Sequence, residues 1–199
     1  MSELIFLFGI DSIITKKPIM QLIFNKYIGN DKIYSNFISG NSTIPYNNLF
    51  LNCVDQLKDL SVSEIASYVK EIEVNEPLVN FINKYRNRCY IVTDNLDVWI
   101  HELIKKMNMN KNIYSSKASI NNDRVNNVIS ILDKSVIIGQ FVVPFVAVGK
   151  GENDSVMIDC ANIGIAYGGT GNLSHSVLSC ASHAIFNEKK LVEFLERLV

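Results

Sequence analysis

Several features that would define a special class of protein are missing from this sequence. Its 199 residues carry a net charge of −1, so no basic surface favours nucleic acid or an anionic membrane as a partner. The cysteines are widely spaced and include no Cys-x-x-Cys pair, which argues against a disulfide framework or a zinc site. We therefore expect reduced thiols and a cytoplasmic protein. The cysteines are Cys53, Cys89, Cys160 and Cys180.

Long hydrophobic runs are also missing. The apolar segment 4–8 follows Glu3 without a basic flank, and it is too short for a signal peptide or a membrane span. Because the segment is continuously apolar, it is typical of a strand buried in a parallel sheet. The chain has neither internal repeats nor low-complexity linkers, and its length suits one core with a modest insertion.

Hydrophobic periodicity divides the rest of the chain into two parts. Between residues 18 and 86 apolar residues recur at helical spacing, which predicts three to five helices. In this block Ser61 and Glu64 match a capping box, and Pro77 suits the first turn of a helix. After residue 86 strands alternate with helices, which predicts an α/β fold with a parallel sheet. The later strands are predicted at residues 89–93, 113–114, 125–132, 145–148, 163–166 and 184–186.

Polar or glycine-rich segments stand at the ends of three predicted strands. They are residues 9–11, 93–95 and 149–154. In an open parallel sheet, ligand sites form beyond the carboxyl ends of the strands. The sequence therefore predicts one site that is built from these three segments.

The motif that carries most information reads Gly-Lys-Gly-Glu-Asn-Asp-Ser-Val-Met at residues 149–157, followed by Gly-Ile-Ala at 164–166. It resembles the G-D-G-x-N-D-x-x-M and G-I-A pattern of the haloacid dehalogenase (HAD) superfamily, in its phosphoserine-phosphatase-like branch. This resemblance implies a three-layer Rossmannoid core with a parallel sheet, formed by residues 1–15 and 86–199. It also implies that residues 16–85 form an inserted helical cap of the C1 type.

The resemblance also assigns ligand-binding roles to residues of the predicted site. Thr93 stands at the second motif, whose hydroxyl binds phosphate, and Lys134 is the choice for the third-motif lysine, with Lys117 as the rival. The expected phosphate or ligand contacts are Thr93, Asp94, Asn95, Lys134, Lys150, Gly151, Asn153 and Asp154. Asp94 can equally be interpreted as a solvated or capping residue, and Asn95 as a helix cap.

Two positions depart from the family's chemistry. Gly9 stands where the family has its nucleophilic aspartate, and no aspartyl-phosphate can form on glycine. Lys150 stands where the family has a magnesium ligand, although magnesium prefers carboxylate oxygens. Asp11 remains at the position of the general acid/base. We therefore expect no cofactor, with magnesium on Asp11 and Asp154 as the alternative.

These departures leave two functional hypotheses. The first is a pseudophosphatase that binds a small anionic or phosphorylated molecule or a protein partner, with a homodimer left open. The second is an active hydrolase of the same superfamily, with Asp11 as general acid/base in an altered mechanism. Lys150 is expected either to pair with Asp11 or Asp154, or to replace the metal cation and, together with Lys134, to hold an anion.

Overall fold

The computed structural model describes residues 4–29 and 45–199 of the protein. Within these residues the strands form one seven-stranded sheet with the order β4-β3-β2-β1-β5-β6-β7. Only the β3–β4 pair is antiparallel, and the other neighbours run parallel. The predicted α/β fold with a mainly parallel sheet is confirmed. The strands are β1 Ile5–Phe8, β2 Cys89–Leu96, β3 Ile113–Asn121, β4 Arg124–Ser130, β5 Phe145–Gly149, β6 Ile163–Tyr167 and β7 His183–Ile185.

The described α-helices fall into two groups. Four lie between β1 and β2, where the sequence predicts the helical insertion, and residues 30–44 of that insertion lie outside the described part. The other five alternate with the later strands. The helices are α1 Ile19–Tyr27, α2 Tyr46–Leu57, α3 Val62–Lys70, α4 Glu76–Lys84, α5 Asp97–Lys106, α6 Lys134–Ile138, α7 Ser155–Asp159, α8 His175–Cys180 and α9 Glu188–Glu196. None of the described helices is long and apolar enough to cross a membrane.

Local sequence signals set the helix boundaries in the insertion. Ser61 Oγ accepts a hydrogen bond from the Glu64 backbone N–H at 3.0 Å, which caps α3. Pro77 lies in the first turn of α4, where its missing N–H costs nothing. These helix starts agree with the sequence prediction. The apolar faces of the insertion pack into the same hydrophobic cluster as β1, β2 and α5.

The insertion leaves and rejoins the sheet at one place. Thr15 forms an antiparallel bridge with Val74, so the outgoing and returning segments lie side by side. Asn75, which is fully buried, caps α4 and also donates to the Ile13 carbonyl oxygen at 3.4 Å. Asp11 accepts a hydrogen bond from the first residue of α1. These contacts fix the start of the insertion directly beside the end of β1.

Two strands are longer than their sequences predict. β2 continues beyond Thr93 to Leu96, and β3 runs for nine residues instead of two. The residues from Ser115 to Ser119 lack a continuous apolar pattern, so their periodicity does not indicate a strand. Parallel pairing with β2 at Ser115 and Ser116, and antiparallel pairing with β4 from Lys117 onward, supply the hydrogen bonds that keep this polar segment extended.

Candidate functional site

The candidate site lies at the carboxyl edge of the sheet, where β2, β1 and β5 end side by side. The loop at residues 9–11 follows β1, residues 93–95 belong to the end of β2, and the loop at residues 150–154 follows β5. The N-terminus of α6 brings Lys134 to the same edge. The topology therefore brings together the three segments that the sequence assigned to one site.

The centre of the site is a buried ion pair. Lys134 Nζ donates to Asp154 Oδ1 at 2.5 Å, and both side chains are 6% exposed. Asp154 Oδ2 accepts from the backbone N–H groups of Lys150 at 2.8 Å and Gly151 at 3.1 Å. Burial alone would lower the pKa of Lys134, but attraction by Asp154 and then Asp94 outweighs burial and raises that pKa. The lysine is therefore charged at neutral pH.

Glycines on two strand ends leave the space that the Asp154 side chain occupies. A β-carbon added to Gly9 would lie 3.1 Å from Asp154 Oδ1. One added to Gly149 would lie 2.5 Å from Asp154 Cβ. An aspartate at position 9 would thus stand directly against a carboxylate of the same charge.

Asp11 has both a structural contact and an unusual acidity. Its Oδ1 accepts from the Ile19 backbone N–H at 2.7 Å, and its Oδ2 accepts from Asn95 Nδ2 at 2.8 Å. Burial, followed by repulsion from Asp94, raises the pKa of Asp11 to about 7. These two hydrogen bonds and the charge of Lys134 oppose that rise. Asp11 thus holds the start of α1 and exchanges a proton near neutral pH.

Asp94 is buried in the site, so its interpretation as a solvated or capping residue is wrong. Its side chain is among the buried polar groups, at 8% exposure, and its Oδ2 accepts from Asn153 Nδ2 at 3.2 Å. Burial raises the pKa of Asp94, while attraction by Lys134 opposes the rise. The neighbouring Asn95 also turns inward, and its Nδ2 donates to Thr93 Oγ1 at 2.9 Å.

Lys150 does not pair through its side chain with Asp11 or Asp154, so that expectation is wrong. Its Nζ donates to the carbonyl oxygen of Thr170 at 3.1 Å and to Thr170 Oγ1 at 3.0 Å. Thr170 Oγ1 in turn donates to the Ser12 carbonyl oxygen at 2.7 Å. Asp154 already accepts hydrogen bonds from Lys134 and two backbone N–H groups, so its charge is satisfied without a second ammonium.

Lys150 therefore ties the loop after β5 to the glycine-rich loop after β6, and Thr170 ties that loop to the loop after β1. Partial burial lowers the pKa of Lys150. Sequence reasoning missed Thr170 and Ser12 as members of this region. The signal for Thr170 was the Gly-Gly-Thr-Gly segment at residues 168–171, which follows a strand but matches no phosphate-binding motif, whereas Ser12 directly follows Asp11.

The two lysines considered for the third motif lie in different places. Lys134 is in the buried cluster, whereas Lys117 lies on β3 and its side chain is half exposed. Lys117 Nζ lies 3.4 Å from Asp97 Oδ2 and donates to Ser115 Oγ at 3.3 Å. The geometry thus leaves Lys117 outside the group that contains Asp154.

The residues of the site do not fit magnesium. Among the residues that the structure describes, no group of three or more His, Cys, Asp or Glu side chains is arranged to hold a metal ion. Asp154 is bound to Lys134, and the position beside it carries the backbone of Gly9 instead of a carboxylate. Magnesium requires several oxygen ligands in octahedral geometry, and the described side chains do not provide them.

Solved structures of phosphoserine phosphatases and of a HAD family hydrolase share the fold of this chain. A substrate-bound phosphoserine phosphatase complex is 17% identical, covers 98% of this chain and 99% of that chain, and has a TM-score of 0.80. A phosphoserine phosphatase from T. onnurineus is 14% identical, with coverage of 100% and 96% and a TM-score of 0.79. No family model and no curated protein sequence matches the chain.

A HAD family hydrolase from Salmonella enterica serovar Typhi is also similar. It is 16% identical, the match covers 94% of this chain and 69% of that chain, and the TM-score is 0.78. At such identities the similarity establishes the fold, which the sequence motifs predicted. Function depends on the site residues, because one fold supports many activities.

The raised pKa of Asp11 predicts a specific pH dependence of stability. The folded protein holds this proton up to about pH 7, whereas an aspartate in the unfolded chain releases it near pH 3.8. Stability is therefore expected to fall as pH rises through this window, by roughly 1–3 kcal/mol after allowance for partial exposure. Urea denaturation of the wild type and Asp11→Asn at several pH values measures the fall.

The slope against pH, and not the absolute stability, is the quantity to compare. Asp11→Asn also alters the hydrogen bonds to Ile19 and Asn95, and this effect does not depend on pH. The pKa of Asp94 is also raised, so Asp94 too lowers stability as pH rises, and part of the slope remains in the variant. Asp59→Asn, at an exposed position, is the control and retains the full wild-type slope. Parallel curves for wild type and Asp11→Asn would contradict the assignment of this proton.

Proposed function

We propose that the protein is a pseudophosphatase, which has a HAD-type fold but forms no aspartyl-phosphate. The observation that carries the proposal is the surroundings of Gly9. A β-carbon at this position would lie 3.1 Å from an oxygen of Asp154, and that oxygen is bound to Lys134. The site thus has an internal ion pair where covalent phosphoryl transfer would need a nucleophile.

Binding is the activity that remains for such a site, and we propose a protein partner as the ligand. Both ammonium groups that could hold an anion already donate within the chain, Lys134 to Asp154 and Lys150 to Thr170. The Asp154 carboxylate already offsets the charge of Lys134, and two donors of Lys150 are used by Thr170, so both ammonium groups have less to offer an external anion. A small anionic ligand is therefore less well supported than a protein.

Turnover assays test the proposal. The wild type is expected to release no phosphate above background from p-nitrophenyl phosphate, phosphoserine or other phosphomonoesters, with or without magnesium. The solved phosphoserine phosphatase structures suggest phosphoserine as the first substrate in this panel. Phosphate release that grows with enzyme concentration and withstands repeated purification would contradict the proposal.

One observation favours a second candidate, an active hydrolase with an altered mechanism. The pKa of Asp11 is about 7 and its side chain is partly exposed, which suits a general acid/base at neutral pH. This candidate predicts turnover that changes with pH around 7 and disappears in Asp11→Asn. If turnover is present but Asp11→Asn leaves it unchanged, both candidates fail.

A further inference from the structure

The end of strand β2 contains an irregularity that directs two polar side chains inward. Thr93 of β2 pairs with Ser115 of β3, but the next pair is Leu96 with Ser116. The two residues of β2 between these pairs therefore have no pairing partner on β3, as in a bulge. Bulges turn side chains away from the regular alternation and are frequent next to functional sites. The bulged residues are Asp94 and Asn95.

The bulge places the Asp94 carboxylate among the groups that the sequence assigned to an anionic ligand. Asn153 donates its side-chain N–H to Asp94 Oδ2 at 3.2 Å. Lys134 attracts the same carboxylate, as the pKa shifts of both residues indicate. Asp94 is 8% exposed, so water does little to screen these interactions. Asn153, one of the predicted ligand contacts, thus already donates to a carboxyl group that belongs to the chain.

The charge balance of the site opposes a second anion. Three carboxylates, those of Asp11, Asp94 and Asp154, interact with the single ammonium of Lys134. A phosphate that entered this cluster would meet Asp94 in surroundings that screen charge weakly. It would also have to displace the Asn153 hydrogen bond to Asp94.

We propose that the carboxyl group of Asp94 occupies the predicted anion site and excludes phosphate from it. The inference rests on the proposed function and adds that this fold, besides lacking turnover, binds no phosphate. Asp94 is thus the residue that determines which ligands the site rejects. Gly9 has no side chain that could form a covalent phosphate intermediate, and Asp94 lowers the affinity for the phosphoryl group.

Equilibrium binding of inorganic phosphate to the purified full chain tests this inference. Asp94→Asn retains the size of the side chain and removes its charge, and Asp94→Gly removes the side chain. Both variants are expected to bind phosphate at least about tenfold more tightly than the wild type, which corresponds to about 1.4 kcal/mol. Titration calorimetry measures the affinity, with magnesium omitted.

A matched control separates the local effect from the change in net charge. Asp159→Asn removes one negative charge from an exposed position at the end of α7 and should bind phosphate no better than the wild type. Equal phosphate affinity in the wild type and in folded Asp94→Asn would overturn the inference. The wild type also tests it alone, because saturable binding at submillimolar phosphate would overturn it even if neither variant folds.

Binding and turnover distinguish the failure of this inference from the failure of the proposed function. A wild type that binds phosphate without hydrolysing esters would overturn the role of Asp94 and leave the pseudophosphatase proposal standing. A wild type that hydrolyses phosphomonoesters would overturn the proposed function and, because hydrolysis requires the phosphoryl group in the site, the role of Asp94 as well.

Discussion

Replacement of Lys134 by methionine is expected to lower the free energy of unfolding by about 3–5 kcal/mol. Methionine has an apolar side chain of similar length, so the variant fills the same space. It leaves the buried Asp154 carboxylate without its ion-pair partner. Lys134 is also the only ammonium that offsets the charges of Asp11 and Asp94 in the described cluster. Urea denaturation monitored by circular dichroism measures the loss.

Two further variants make this prediction specific. Lys189→Met removes an exposed ammonium from α9 and is expected to change stability by less than about 0.5 kcal/mol. The double variant Lys134→Met/Asp154→Asn is expected to be more stable than the sum of the single losses predicts, by at least about 1 kcal/mol. Additive losses would show that the ion pair does not organise the site.

Substitution of Gly9 by aspartate is the second change for which we expect a large effect. The matched variant Gly9→Ala adds only the β-carbon, 3.1 Å from Asp154 Oδ1, and should cost about 1–2 kcal/mol through local crowding. Gly9→Asp adds a carboxylate to a site that already contains three, and it should cost at least about 2 kcal/mol more. Thermal and urea denaturation of the pair isolates the electrostatic part.

Magnesium provides a second readout for this position. In Gly9→Asp/Lys150→Asp two carboxylates return to positions that the family resemblance assigns to the nucleophile and a metal ligand. Magnesium is expected to raise the melting temperature of this double variant and to leave that of the wild type unchanged. At about 100 times the dissociation constant the stabilisation would be about 2.7 kcal/mol. If magnesium does not stabilise the double variant, then positions other than 9 and 150 must also differ from those of a magnesium-binding site.

Both sets of variants examine how the site accommodates a glycine at position 9. Without a carboxylate at position 9, Asp154 faces Lys134 and two backbone N–H groups, which satisfy its charge inside the chain. Without a carboxylate at position 150, the lysine there is free to hold the loop that contains Thr170. The two departures from the family pattern are thus accommodated by separate sets of contacts.

Much of the fold could be predicted from the sequence because its signals are local. The continuous apolar run at residues 4–8 predicts the central strand β1, which is buried from Ile5 to Phe8. The Ser61 cap and Pro77 mark helix starts in the insertion. The sequence predicts β3 too short, since its extended conformation depends on pairing with β2 and β4 rather than on its own apolar pattern.

The site was only partly predictable for the same physical reason. The sequence motif placed Gly9, Asp11 and the loop at residues 149–154 near one another, because parallel strands end at a common edge. A pairing of Lys150 with Asp11 or Asp154 is one of the two alternatives that the sequence leaves open, and the structure contradicts that pairing. Which acceptor Lys150 contacts depends on Lys134, because Lys134 already occupies Asp154. Lys134 is distant in sequence and lies beside Asp154 because it begins helix α6.

The sequence by itself determined the α/β class, the helices between the first two strands and the lack of a reactive side chain at Gly9. These properties follow from periodicity and residue identity, which act over a few neighbouring positions. Only the tertiary structure decided that Asp94 is buried beside Asn153 and that the ammonium of Lys150 contacts Thr170. Those outcomes depend on the register between β2 and β3 and on which donors lie within reach of each acceptor, and chain segments far apart in sequence set both.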